Sequence, residues 1–332
     1  MERQEQKISW LSNLKAPMAG AFSGCVTRAI TQPLDCSKVR LQLQVEPVAN
    51  VAGARYTGTI QTLIAIFRDE GVFGLWKGHI PAQLLSVFYG LGQFAAYDQL
   101  NSAGRHVKLL NEHSDTRHFI CGGIAGAVGN TVSTPFDVIR TRIIAQDHGR
   151  GYSSMRDGLR LIFVNEGVRG LFRGLGPSVL QVAPLTAIQF WAYNVVIETV
   201  LDYTKSEYVN HYPYFIVISI INITNYRSSR ATPHLILFAG AIGGIVSKTA
   251  VYPLDLCKKR LQIQKFQNSR TTYGEHFICK GLCDCLARTI SREGYRGLFK
   301  GLLPSVIKSG IATALHFFMY EELLSILVRV QI

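Results

Sequence analysis

The chain has 332 residues, of which 48% are hydrophobic and 17% charged, with a formal net charge of +13. That length suits two soluble domains, yet windows without Asp, Glu, Lys or Arg run from Ile80 to Tyr97, Phe119 to Phe136 and Gly174 to Ile197, and each can cross a hydrocarbon core of ~30 Å as a helix. Scattered bases argue against nucleic acid and for an anionic solute or lipid, and seven cysteines, several in apolar segments, argue against a disulfide framework.

Taken in order, residues 1–15 contain acids and no apolar leader, so any organelle address is expected to be internal. A long helix is expected near 12–43. Its segment Ala16–Leu34 carries a single charge, Arg28, and PLDCSKVR at 33–40 puts a proline inside it. A short amphipathic helix follows near 59–69, then EGVFGLWKG at 70–78, then a second long helix near 80–107. The same order returns: a long helix near 116–146 with PFDVIRTR at 135–142, a short one near 155–165, EGVRGLFRG at 166–174, and a long one near 176–203. Residues 204–232 interrupt the period. Their apolar run Pro213–Ile223 is too short to span a bilayer and reads as an extramembrane loop. The third round has a long helix near 234–264 with PLDLCKKR at 253–260, a short helix near 279–291, EGYRGLFKG at 293–301, and a long helix near 303–329. Lys248 and Lys308 are the lone strong bases of its two apolar segments.

These recurrences predict an all-α membrane protein of six transmembrane helices in three pseudo-threefold repeats, each with a short helix outside the bilayer. The units are 1–112, 113–203 and 233–332, with 204–232 inserted as a loop. Gly20/Gly24, Gly122/Gly126 and Gly240/Gly244 sit one turn apart and are expected to let neighbouring helices approach closely. Pro33, Pro135 and Pro253 remove a backbone donor and should kink their helices. Cys279, Cys283 and Cys285 lack zinc spacing and are read as one helix face. With no metal cluster, no phosphate-cradling glycine loop and no nucleophile–base pair, neither an enzyme nor a resident cofactor is expected.

The chemistry lies on one stripe. Asp35 and Lys38, Asp137 and Arg140, and Asp255 and Lys258 are each three residues apart, hence on one helical face. Around an axis, the acid of one helix can meet the base of another: Asp35 with Arg140, Asp137 with Lys258, and Asp255 with Lys38. Gln42 and Gln262, one turn further on, can brace two of these pairs. Local same-helix pairs at a solvated end would be worth little and would not require a threefold recurrence beside proline. Seven residues before each acid stand Arg28, Asn130 and Lys248, nearly two turns away on the same stripe. Two of the three are basic, which points to an anionic ligand, since an intramembrane cation normally faces a wet interior or a partner. Lys308 is a further candidate. Gln93, Gln189 and His316, one turn before Tyr97, Tyr193 and Tyr320, either bind a polar ligand or tie helices together.

The triple Pro-x-Asp-x-x-(Lys/Arg) with its Glu-Gly-x-x-x-x-aromatic-(Lys/Arg)-Gly partner resembles the mitochondrial carrier family over nearly the whole chain. The resemblance implies a multi-pass inner-membrane protein, both termini toward the intermembrane space, and exchange by alternating access. On that likeness the predicted ring is a matrix gate and the glutamines are its braces. The opposite, cytoplasmic gate retains Asp98 and Glu321, but Asn194 replaces an acid and the bases are missing, so a weaker outer gate is expected. Within the family, WKGHIPAQLLSVFYGLGQF at 76–94, SKTAVYPLDLCKKRLQ at 247–262 and GLLPSVIKSGIATALHFFMYE at 301–321 look most like carriers of thiamine pyrophosphate. That implies a small anionic phosphorylated substrate exchanged for nucleotides, lipid contact with cardiolipin among the candidates, and a monomer. Alternatives are a carrier of nucleotides or coenzyme A and an uncoupling-type proton leak.

Overall fold

The computed structural model describes residues 2–45, 55–106, 114–147, 149–203, 233–266 and 278–329, with the backbone alone described at 2–19, 114–116, 197–203, 233–238, 316, 317, 320, 321 and 323–329. The 204–232 insertion therefore lies outside the described residues, as do the side chains of His316 and Glu321.

The described chain is all helical. The first repeat comprises α1 (Glu2–Leu43), α2 (Thr59–Gly74) and α3 (His79–Arg105). The second comprises α4 (Ser114–Ala145), α5 (Met155–Glu166), α6 (Val168–Leu171), α7 (Leu175–Leu180) and α8 (Val182–Tyr203). The third comprises α9 (Pro233–Gln262), α10 (Leu282–Gly297) and α11 (Leu302–Arg329). Pro135 and Pro253 sit within continuous helices, and Pro33 lies within α1. Two long helices depart from expectation: α1 begins at Glu2 and not near 12, and the even helix of repeat two is divided at Gln181 into α7 and α8. Pro184 has no N–H to give the Leu180 carbonyl, and the helical ladder loses a rung there.

The repeats interlock in a ring. α3 packs along α4, α8 along α9, and α11 along α1, so each even helix is held by the odd helix of the next repeat and the last closes on the first. Of the expected pairs, Gly126 alone packs closely, a methyl there lying 3.3 Å from Val182 Cγ1 and 3.9 Å from the Tyr89 hydroxyl; the tightest approaches are made by other glycines. A methyl group on Gly129 would meet the Tyr89 carbonyl at 2.9 Å, and one on Gly243 would meet the Gln189 carbonyl at 2.9 Å. Around Gly20, Gly24, Gly122, Gly240 and Gly244 there is instead open space, with nothing within 4 Å of such a methyl. These positions lie four or eight residues before Arg28, Asn130 and Lys248, on the same helical stripe, so they widen the space between the helices rather than join them.

The cysteine expectation also needs correction. Cys279 precedes α10, Cys283 is exposed, and Cys285 is fully buried with Cys257. Side chains two positions apart point to opposite sides of a helix, so Cys283 and Cys285 cannot share a face. All seven cysteines are free thiols.

Candidate functional site

The three acids of the repeated motif converge. Arg140 Nη2 lies 2.5 Å from Asp35 Oδ2, Lys258 Nζ lies 2.8 Å from Asp137 Oδ2, and Lys38 Nζ lies 2.6 Å from Asp255 Oδ2. Each pair joins two repeats, so the six side chains form a closed cycle. Gln42 Nε2 donates to Asp255 Oδ2 at 3.1 Å and Gln262 Nε2 to Asp137 Oδ2 at 2.8 Å.

Two further cations enter this layer. Lys308 Nζ reaches Asp35 Oδ2 at 2.7 Å, so it is engaged in the ring in this conformation rather than free above it. Lys259 Nζ, which the repeat comparison passes over, lies 2.8 Å from Asp137 Oδ1 and donates to Thr141 Oγ1 at 3.0 Å. Its counterparts are Val39 and Thr141, so nothing in the recurrence marks it. Three carboxylates thus face Lys38, Arg140, Lys258, Lys259 and Lys308, and the layer is net positive.

Beneath the ring lies a second cycle, whose members recur in all three repeats and are thus marked in the sequence. Arg40, Arg142 and Arg260 close the three proline motifs, and Glu70, Glu166 and Glu293 open the three Glu-Gly motifs. They pair at 2.6, 2.5 and 2.5 Å, and all three arginines are buried. Lys77, Arg173 and Lys300 bind the same three carboxylates. Each arginine also donates Nε to the next repeat: Arg40 to the Ile144 carbonyl, Arg142 to Gln262 and Arg260 to Gln42, at 3.2, 3.0 and 3.2 Å. The glycines ending the Glu-Gly motifs hold the corner. Gly78, Gly174 and Gly301 have φ of 75, 78 and 79°, and a methyl on Gly301 would meet the Lys38 carbonyl at 2.9 Å.

Above the ring, the predicted ligand layer shows its own threefold pattern. Arg28 Nη1 donates to the Ala82 carbonyl at 3.2 Å, Ser178 Oγ to Asn130 Oδ1 at 3.3 Å, and Lys248 Nζ to the Ser305 carbonyl at 3.0 Å. Ala82, Ser178 and Ser305 are equivalent, each four residues past the corner glycine. Arg28 and Lys248 therefore contact neutral carbonyls and have no carboxylate partner among the described residues. Gln93 and Gln189 lie at the helix crossings, since Gly129 packs on Gln93 Cβ and Gly243 on the Gln189 carbonyl. Further up, Tyr97 is bonded to His118 at 2.8 Å, while Asp98 is exposed and forms no ion pair among the described residues.

A model of the family described as "Mitochondrial carrier protein" matches residues 9–106, 111–204 and 229–331. The chain belongs to the mitochondrial carrier family. Curated relatives of this carrier include the mitochondrial thiamine pyrophosphate carrier of Bos taurus, 36% identical over 94% of this chain and 92% of the relative. The human protein of that name is 34% identical over 93% and 91%. A fungal one, from Coccidioides immitis, is 36% identical over the same shares. Membership explains why charge survives in the long helices of this carrier: each odd helix turns its ionic stripe inward and leaves its apolar faces outward.

Proposed function

We propose that this chain is an antiporter of the mitochondrial inner membrane that imports thiamine pyrophosphate into the matrix in exchange for nucleotides, by alternating access. The reading is carried by Arg28 and Lys248, two intramembrane cations held by neutral carbonyls above a closed ionic floor. Similarity along almost the whole chain to relatives named for that substrate supports it.

In this mechanism the diphosphate displaces the carbonyls of Ala82 and Ser305 from Arg28 and Lys248, and Asn130 supplies a neutral donor beside them. Gln93, Gln189 and His316 serve the heteroaromatic part. Lys308 passes from Asp35 to the arriving anion. The pairs Asp35–Arg140, Asp137–Lys258 and Asp255–Lys38, braced by Gln42 and Gln262, act as the matrix gate. Asp98 and Glu321 belong to a weaker cytoplasmic gate. The shut ring, with Asp98 exposed and in no ion pair among the described residues, fits a cytoplasm-facing conformation, in which binding energy spent on loosening the ring drives the exchange.

Purified protein in liposomes preloaded with nucleotide should take up labelled thiamine pyrophosphate, and unlabelled thiamine pyrophosphate should compete better than free nucleotide or coenzyme A. Uptake of nucleotide with no uptake of thiamine pyrophosphate would replace the proposed substrate with another phosphorylated anion.

A further inference from the structure

The first residue of α3 breaks the threefold symmetry of the site. After the corner glycines stand His79, Leu175 and Leu302. His79 follows directly on a glycine beside the ring: a methyl on Gly78 would lie 2.9 Å from Ile144 Cγ1 and 3.2 Å from Arg140 Cγ. One turn along the same face, the Ala82 carbonyl holds Arg28. Arg28 and Arg140 are the charged groups that act on the imidazole.

The protonation of this ring follows from its neighbour. Gln83 Nε2 is 3.1 Å from the Cys25 carbonyl and 3.4 Å from His79 Nε2. Facing a carbonyl, the Gln83 atom must be the amide nitrogen, which has two protons to give. It therefore donates to both, His79 Nε2 accepts, and the imidazole proton sits on Nδ1. Nδ1 is covered and has no hydrogen-bond partner among the described residues. Leucine fills the equivalent place in the other two repeats, so packing alone does not call for a polar ring there.

We propose that the Nδ1–H of His79 donates a hydrogen bond to a phosphate oxygen of the transported anion, formed as the ring parts. The inference rests on the reading of the chain as a carrier of a phosphorylated anion. The donor lies between Arg28, which recruits the phosphate, and Arg140, whose departure from Asp35 uncovers the floor. An interaction absent at rest and made during the transition raises the rate of the step instead of tightening the initial complex.

The test uses full-length protein in liposomes, with exchange rates measured across substrate concentrations for wild type, His79→Leu, His79→Asn and His79→Gln. Asparagine can place a donor where Nδ1 is; glutamine reaches the Nε2 position instead. His79→Leu and His79→Gln are expected to lower the maximal rate about tenfold, the size of a lost charge-assisted hydrogen bond, with half-saturation changed less than about twofold. His79→Asn should stay within about threefold of wild type. Wild-type rates in both His79→Leu and His79→Gln, equal loss in His79→Asn, or an effect confined to half-saturation would each overturn the proposal. If His79→Leu does not fold, His79→Gln against His79→Asn decides. Running each variant with thiamine pyrophosphate and with a nucleotide separates the two readings. If wild type moves only the nucleotide, the substrate assignment fails while the His79 comparison stands on the nucleotide; if it moves neither, both fail.

Discussion

Asp137 holds two cations, as Asp35 does, and a glutamine besides, with Lys258, Lys259 and Gln262 all on its carboxylate. Removing it strands the buried Lys259 ammonium and the half-buried Lys258 one, and breaking a buried pair in this way costs about 3–5 kcal/mol. Asp255 holds one lysine and one glutamine and is more exposed, at 22%. Asp137→Ala should therefore lower the melting temperature of purified protein more than Asp255→Ala does; equal shifts would mean that the second lysine adds nothing. Arg28 and Lys248 are bonded to carbonyls that keep other partners within their helices. Arg28→Ala and Lys248→Ala should leave the melting temperature within a few degrees of wild type and reduce liposome exchange at least tenfold, as loss of a charge-assisted contact implies. The pairing of Asp35 with Arg140 was legible from sequence because spacing and recurrence fix both members. Lys259 was not, because it occurs in one repeat alone and its partner is 122 residues away.

At the scale of elements, the corner between each short helix and the following long one depends on a left-handed glycine. Gly174 has φ 78°, and a methyl on it would sit 3.0 Å from the carbonyl of Lys258, itself a member of the ring. Gly174→Ala should destabilise the protein clearly in thermal unfolding, whereas Gly176→Ala, where a methyl meets nothing within 4 Å, should be neutral or mildly stabilising. The amphipathic α10 offers a second check. The Cys285 thiol donates a hydrogen bond to Cys257, which together with burial pushes it up to about 12, so it stays protonated and covered near neutral pH. Iodoacetamide should alkylate Cys283 and spare Cys285 in folded protein, since the thiolate is the reactive form; equal labelling would contradict the packing of α10 on α9. The helix itself was readable from its periodicity. Which cysteine faces inward was not, because helix onset at Leu282 sets the rotation and the preceding Gly281 leaves that onset loosely marked in sequence.

Over the whole molecule, closure is cyclic: repeat one grips two, two grips three, and three returns to one through the Arg40, Arg142 and Arg260 contacts and through the ring above them. A charge exchange tests this directly. Lys38→Asp should leave two acids facing each other across repeats, and Asp255→Lys two bases. The double variant should regain much of the exchange and stability lost by either single change, because the pair joins helices 217 positions apart and is defined by its partner, not by its own helix. The sequence by itself determined the three repeats, the six long helices, the acids and bases of the ring and even their cyclic pairing, because each rests on a local pattern that occurs three times and averages away chance. Only the tertiary structure decided that Lys308 reaches down to Asp35, that Lys259 doubles the hold on Asp137, and that Gly20, Gly24, Gly122, Gly240 and Gly244 open space while Gly126, Gly129 and Gly243 make the contacts. Those outcomes depend on the distance and rotation between helices from different repeats, quantities that no single stretch of chain encodes.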